Sequence, residues 1–165
     1  FDIAKVQSGN EDIAMEPIDI SLLVQQSLGE HDAEIQKAEL PFCVQIEKEL
    51  CVRTDGRKMS RVVGNLIENA LKYAMAHTRV FVTVAARDDE VMLEFKNISA
   101  YPLDFDPEEI TDRFVRGDQS RSEEGNGLGL AIAKSYTEAC GGTFRLSVDG
   151  DLFKVVILFP AYQGK

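Results

Sequence analysis

Asn65, Asn69, Lys72 and Tyr73 carry side chains that could do chemistry together, provided that the chain around them is helical. At about 100° per residue, Met59, Val63, Leu66, Ile67, Ala70 and Ala74 fall on one side of a helix beginning near Asp55. Arg61, Asn65, Glu68, Asn69 and Lys72 fall on the other side, and Tyr73 borders the two. Asp55 is the expected N-cap, because its carboxylate can accept an orphan backbone N–H of the first turn. A solvated face would more naturally use Glu, Lys and Gln, since the Asn amide competes with the backbone for hydrogen bonds. Two Asn at i and i+4, followed by an ammonium and a phenol, instead suit a hydrated Mg²⁺, phosphates and a flat ring. Mg²⁺ takes oxygen ligands and keeps several waters, so protein oxygens and substrate phosphates usually hold it jointly.

A second stretch, Gly125-Asn126-Gly127-Leu128-Gly129-Leu130, precedes another expected helix. Glycines let backbone amides turn toward an anion, and a helix N-terminus adds partial positive charge. The stretch matches neither Gly-x-Gly-x-x-Gly after a strand nor a loop ending in Gly-Lys-Ser/Thr. By itself it would describe a lid hinge equally well.

These residues need a scaffold, and 165 residues suffice for one domain with a core. With 44% hydrophobic and 28% charged residues the chain reads as soluble and globular. The net charge of −10 argues against a nucleic-acid binder or direct contact with an anionic membrane, which need clustered Lys and Arg. A nucleotide site needs only a few local cations. No apolar run approaches the ~20 residues of a membrane helix, and the first residues do not read as a signal peptide. Cys43, Cys51 and Cys140 form no Cys-x-x-Cys spacing and are expected to be reduced thiols in a cytosolic compartment.

In chain order, residues 1–10 read as the end of a preceding helix or linker, and 11–165 as the domain. Pro17 to Ile20 predicts a short edge strand. A helix capped by Asp19 or Ser21 should run to about Ala38, weakened by Gly29. Strands are expected at Phe42 to Ile46 and Cys51 to Thr54, before the central helix. Val80, Val82 and Val84, then Val91, Leu93 and Phe95, alternate about Asp88-Asp89 and predict a hairpin. Asn97 to Glu124 has two prolines, many charges and little periodicity, the composition of a functional lid or of a disordered stretch. After it come the helix ending on Gly141-Gly142 and a final hairpin turning at Asp149-Gly150. Elements grouped in this way predict an α+β fold. It would be a two-layer α/β sandwich, a mixed and mostly antiparallel sheet of about five strands with three helices on one face.

Taken in order, the motifs resemble the catalytic, ATP-binding domain of bacterial sensor histidine kinases, the Bergerat fold shared with DNA gyrase, the MutL repair proteins and the large heat-shock chaperone. The resemblance covers about Glu16 to Pro160. The segment from Asn65 to Tyr73 looks like the N box, Asp112 to Arg121 (with Phe114, Arg116 and Asp118) like the F box, and Gly125 to Leu130 like the G2 box. The resemblance implies ATP and Mg²⁺ as ligands. Asn69, helped by Asn65, would hold the metal; Lys72 would meet phosphate, and Tyr73 the adenine or ribose. Amides of Gly127, Leu128, Gly129 and Leu130 would cradle phosphates next to Gly125. Arg116 and Arg121 would meet the γ-phosphoryl group, with surface ion pairs as their ordinary alternative, and Phe114 would anchor the lid.

The chain departs from the family after the hairpin. An Asp-x-Gly-x-Gly run is usual there, its Asp accepting from the adenine amino group. Here the run is Asn97-Ile98-Ser99-Ala100-Tyr101, in which Asn97 can accept without charge and both glycines are missing. Hydrolytic members place Glu four residues before the metal Asn. Asn65 stands there and cannot take a proton, which favours transfer over hydrolysis. Glu68, one turn off that line, could act on the incoming nucleophile or orient a metal-bound water.

His31 lacks the sequence that follows an acceptor histidine, and His77 reads as solvated. The acceptor is therefore expected on a dimerisation domain outside this chain, with onward transfer to a response regulator. The resemblance thus implies the cytoplasmic portion of a membrane-anchored sensor, whose fragment alone is monomeric or weakly associated. A regulatory nucleotide-binding module without phosphoryl transfer, and a serine kinase that sequesters a sigma factor, are the alternatives within the fold.

Overall fold

The computed structural model describes residues 12–103 and 126–163. The expected remnant of a preceding helix at 1–10, and the F box, lie outside those residues. Strand β1 (Glu16–Asp19) leads into α1 (Ile20–Glu30) and α2 (Asp32–Ala38), followed by β2 (Phe42–Ile46) and β3 (Cys51–Thr54). Helix α3 (Gly56–Tyr73) precedes the hairpin β4 (Val80–Arg87) and β5 (Glu90–Ile98). Helix α4 (Asn126–Ala139) and the hairpin β6 (Thr143–Asp149) and β7 (Leu152–Pro160) follow. The main sheet has five strands in the order β2-β4-β5-β7-β6, with β2 parallel to β4 and the other pairs antiparallel. A separate ribbon pairs β1 with β3 antiparallel. This is the mixed, mostly antiparallel α+β architecture that the pattern predicts.

Strand alternation decides which side of the sheet the helices cover. Val82, Val84, Val91, Leu93, Phe95, Val155, Ile157 and Phe159 are buried in one cluster with Val24 of α1, Val63 of α3 and Ala133 of α4. Side chains at the intervening positions, such as Thr83, Glu94, Lys96 and Lys154, are partly exposed. A sheet apolar on one face and polar on the other suits a single helical layer.

Helix α3 obeys the predicted split: Met59, Val62, Val63, Leu66, Ile67 and Ala70 are buried. Burying a Val, Leu, Ile or Met side chain is worth about 1.5–3 kcal/mol. That outweighs the fraction of a kcal/mol by which each Asn disfavours a helix. The helix ends at Ala74 because the chain turns extended there and pairs with the end of β5, Met75 N donating to Ile98 O at 2.7 Å. Helix α4 ends as predicted, in a left-handed residue, Gly141 (φ 93°). The amide of Gly142 donates to Thr137 O at 2.9 Å, closing a Schellman turn. A Cβ on Gly142 would lie 2.9 Å from the Phe159 ring.

Four boundaries differ from expectation. The helix predicted to run to Ala38 breaks at His31, whose backbone leaves the helical region (φ −100°, ψ 9°) and whose ring Nδ1 also lies 2.9 Å from the Ser27 carbonyl. Strand β5 continues through Asn97 and Ile98, held by β7 across the pairs Asn97–Phe153 and Ile98–Leu152. The irregular segment therefore begins later than its composition suggests. The last hairpin turns at Gly150-Asp151, because Asp149 pairs with Leu152 and only Gly150 has positive φ (61°). Helix α4 starts at Asn126, so the glycine-rich stretch supplies the first turns of the helix rather than a loop before it.

Asp55 joins the entering chain to α3. Its side chain caps the helix by accepting from Lys58 N at 3.1 Å and also accepts from Ala14 N at 2.8 Å. Burial alone would raise its pKa, but these N–H donors and the nearby Lys58 charge outweigh burial and hold it below the usual carboxylate range. A carboxyl depressed in the folded state stabilises the fold above its unfolded pKa and loses that effect as pH falls through the folded value. We expect Asp55→Ala to lower stability by about 1–2 kcal/mol at neutral pH. Urea titrations across pH should show the mutant and parent curves converging in acid.

Candidate functional site

The exposed side of α3 faces α4 across a cleft of about 500 Å³. Asn65, Asn69, Lys72 and Tyr73 line it from α3 and Gly129 from α4. The two stretches meet directly: Asn65 Nδ2 donates to Gly129 O at 3.4 Å. A carbonyl can only accept, so this contact takes the amide nitrogen of Asn65 and leaves its carbonyl oxygen for the cleft. Asn69 is half-buried, and Lys72 is exposed at the rim with its ammonium 6.0 Å from the centre of the Tyr73 ring.

Along α4, backbone and side chains divide the work. The first N–H groups of a helix have no partner within it, so the opening turns at Gly127 to Gly129 present amides at the N-terminal end. Leu130 is buried to 1% exposure in the core cluster, and its side chain fastens the helix to the sheet. Gly129 has open space where a Cβ would stand. Gly125, Arg116, Arg121 and Phe114 lie outside the described residues.

Asn97 lies on the helix-covered face of β5, one layer below the cleft and 5% exposed. It shares a small space of about 10 Å³ with Asn69, Ala70 and Lys96. The run that follows is tied to the end of α3, Ala100 N donating to Tyr73 O at 2.8 Å. This sets Tyr101 edge-on to Tyr73, with ring centres 6.1 Å apart at 73°. An aromatic corner thus stands where the family pattern carries glycine.

Glu68 does not stand alone on the ledge. Its Oε2 is 3.4 Å from Nε2 of His31, at the break between α1 and α2. Burial works against the charged imidazole, yet the Ser27 carbonyl, Glu68 and the charge of Glu34 together raise the His31 pKa above its ordinary value. Glu34, Arg61 and Ile132 also line the cleft, and sequence reasoning did not single them out. Only Arg61 carried a signal, its place on the polar side of α3. Glu34 reaches the wall because α2 packs against α3, which no periodicity encodes.

The cysteines are free, and burial pushes the Cys140 thiol up in pKa, so it is a poor nucleophile. Among the described residues, no helix is long and apolar enough to cross a membrane.

Residues 54–163 match the family model described as histidine kinase-, DNA gyrase B-, and HSP90-like ATPase. The chain is 30% identical to the sensor protein kinase WalK of Staphylococcus haemolyticus over 96% of its own length and 27% of that protein's. It is 29% identical to the sensor protein VanS of Enterococcus faecium over 86% of its length and 37% of that protein's. The chain therefore spans between about a quarter and two-fifths of these curated relatives. Among solved structures, the Acinetobacter baumannii histidine kinase AdeS superposes with a TM-score of 0.75 at 19% identity, covering 96% of this chain and 73% of that one.

The Asn65–Gly129 contact has a mutational consequence. Asn65→Asp removes the donor and sets a carboxylate against the Gly129 carbonyl. Stability should drop by about 1–2 kcal/mol, read as a lower thermal midpoint, whereas Asn65→Ala should cost less because no charge is left facing the carbonyl.

Proposed function

Because this chain belongs to the histidine kinase-, DNA gyrase B-, and HSP90-like ATPase family, we propose that its cleft binds ATP with Mg²⁺ and serves a sensor histidine kinase. The γ-phosphoryl group would pass to a histidine on a dimerisation domain outside this chain. From there it would reach an aspartate of a response regulator. In the complete protein the domain would stand on the cytoplasmic side of a membrane-anchored sensor.

One observation supports this reading above the rest. The carboxamides of α3 and the opening turns of α4, distant in sequence, line one cleft and touch through Asn65 and Gly129. The volume falls in the range of small-ligand sites, roughly 300–1,000 Å³.

The donors fit the group they would hold. Asn69 and Asn65 offer neutral carbonyl oxygens to a hard cation, and Mg²⁺ favours oxygen donors shared with phosphates. When bound, Mg²⁺ supplies charge neutralisation on the phosphate oxygens. Lys72 adds a point charge at the rim. The amides opening α4 would add directed N–H donors and the positive end of the helix dipole. Tyr73 presents a ring face for the base or ribose, and Asn97, behind Asn69, would meet the base through its amide. Arg116 and Arg121 would add positive charge at the γ-phosphoryl end. Asn65 cannot accept a proton, so the helix puts no general base for water at that position. Transfer to a protein nucleophile is favoured for that reason.

Calorimetric titration with ATP and Mg²⁺ tests the binding half. Asn69→Ala should weaken Mg²⁺-dependent affinity roughly tenfold or more, about 1.4 kcal/mol, while leaving the melting curve of the free chain near that of the parent. Affinity untouched by this change would place the ligand elsewhere. For the transfer half, the complete protein should yield acid-labile, histidine-linked label from γ-labelled ATP. Its absence under conditions where ATP binds would leave a regulatory nucleotide module.

A further inference from the structure

His31 sits where both of its ring nitrogens meet acceptors. Nδ1 lies 2.9 Å from the Ser27 carbonyl and Nε2 3.4 Å from the Glu68 carboxylate. Neither partner can donate, so both contacts are hydrogen bonds only when the ring carries two protons. A neutral ring would keep one contact and turn a lone pair toward the other. The ring is held in place as well: the His31 side chain is 14% exposed, against 62% for Glu68. His31 thereby links the α1–α2 junction to the cleft wall of α3, one residue from Asn69. Glu34 from α2, with Glu68 and Arg61 from α3, make up the charged wall around it, and Glu30 and Asp32 flank it in the chain.

We propose that His31 is a positioning residue for the nucleotide cleft, its imidazolium tying Glu68 back to the α1–α2 junction so that the cleft accepts a triphosphate best while the ring is doubly protonated. The proposal rests on the nucleotide reading above and assigns Glu68 a state within it. With the ring charged, Glu68 is neutralised and drawn toward the helix junction. With the ring neutral, the wall loses one positive charge and gains a carboxylate free to turn toward the phosphates. Both changes disfavour a polyanion. The Ser27 carbonyl, Glu68 and the charge of Glu34 raise the His31 pKa above its ordinary value, so the doubly protonated ring is favoured at this position. Affinity is therefore highest below that raised pKa and falls as pH rises through it. By linkage, nucleotide binding raises the His31 pKa further.

The test uses the whole chain, with ATP at saturating Mg²⁺ so that the nucleotide's own protonation does not intrude. Between about pH 6 and about pH 8.5, wild-type affinity should fall roughly threefold, the size expected for one screened charge near the phosphates. His31→Gln should bind at the wild type's high-pH level throughout. Glu68→Gln, at an exposed position that tolerates the change, should flatten the profile from the other side. The chain has two histidines, so the ring resonances of His31 can be identified by their loss in His31→Gln. Their pKa should fall in Glu68→Gln and rise when ATP is added. A pH slope unchanged in both variants, or a His31 pKa indifferent to Glu68 and to ATP, would overturn the proposal while leaving the nucleotide site standing. No ATP binding at any pH would overturn both.

Discussion

Helix α3 is buried along one side and open along the other, and the cleft exists because that division is kept without a slip over the whole helix. Its apolar side settles on the sheet through Met59, Val63, Leu66 and Ile67. Once those are seated, the helical period leaves no freedom in where Asn65, Asn69 and Lys72 point. Core packing and ligand geometry are thus one constraint: a rotation that misplaced the carboxamides would also expose several apolar side chains, at about 1.5–3 kcal/mol each. Asp55 fixes the start of this helix and Ala74, drawn into pairing with β5, fixes its end.

The electrostatics of the cleft run against those of the molecule. A chain with a net charge of −10 repels a nucleotide at long range, so attraction has to be local. In the proposed nucleotide site, Lys72 and Arg61 on α3 and the amide-rich start of α4 would provide it. Of the acidic groups that share the wall, Glu68 pairs with His31, the contact that joins the wall to the first two helices. The Tyr73–Tyr101 corner shows a second adaptation. Without the glycines usual after the hairpin, the chain follows a path set by backbone bonds to α3, and an aromatic ring occupies the space beside Tyr73.

Much of this was legible before any coordinates. The Asp55 cap, the buried side of α3, the β4–β5 hairpin and the Gly141-Gly142 stop all follow from periodicity and from residues with narrow backbone preferences. Three of the four misread boundaries depend on side-chain contacts or strand pairings. The break at His31 comes with a ring nitrogen reaching a carbonyl, and the extension of β5 through Asn97 and Ile98 depends on β7 lying alongside. The one-residue shift of the last turn depends on the pairing of Asp149 with Leu152. Ser27 is one helical turn from His31, but whether a ring or only the backbone reaches its carbonyl is a side-chain matter that a period does not encode. Strand β7 and Leu152 pair with their partners through the sheet.

The amino-acid order by itself determined which residues could do chemistry and which local element carries each, because helical and strand periods act over a few residues and need no partner. Only the tertiary structure decided that α3 and α4 stand face to face, with Asn65 against Gly129 some sixty residues away. It alone set Asn97 beneath Asn69, and it turned His31 from an isolated histidine into the partner of Glu68. Those relations arise when the apolar sides of separate elements share one core, and a one-dimensional pattern holds no record of that sharing.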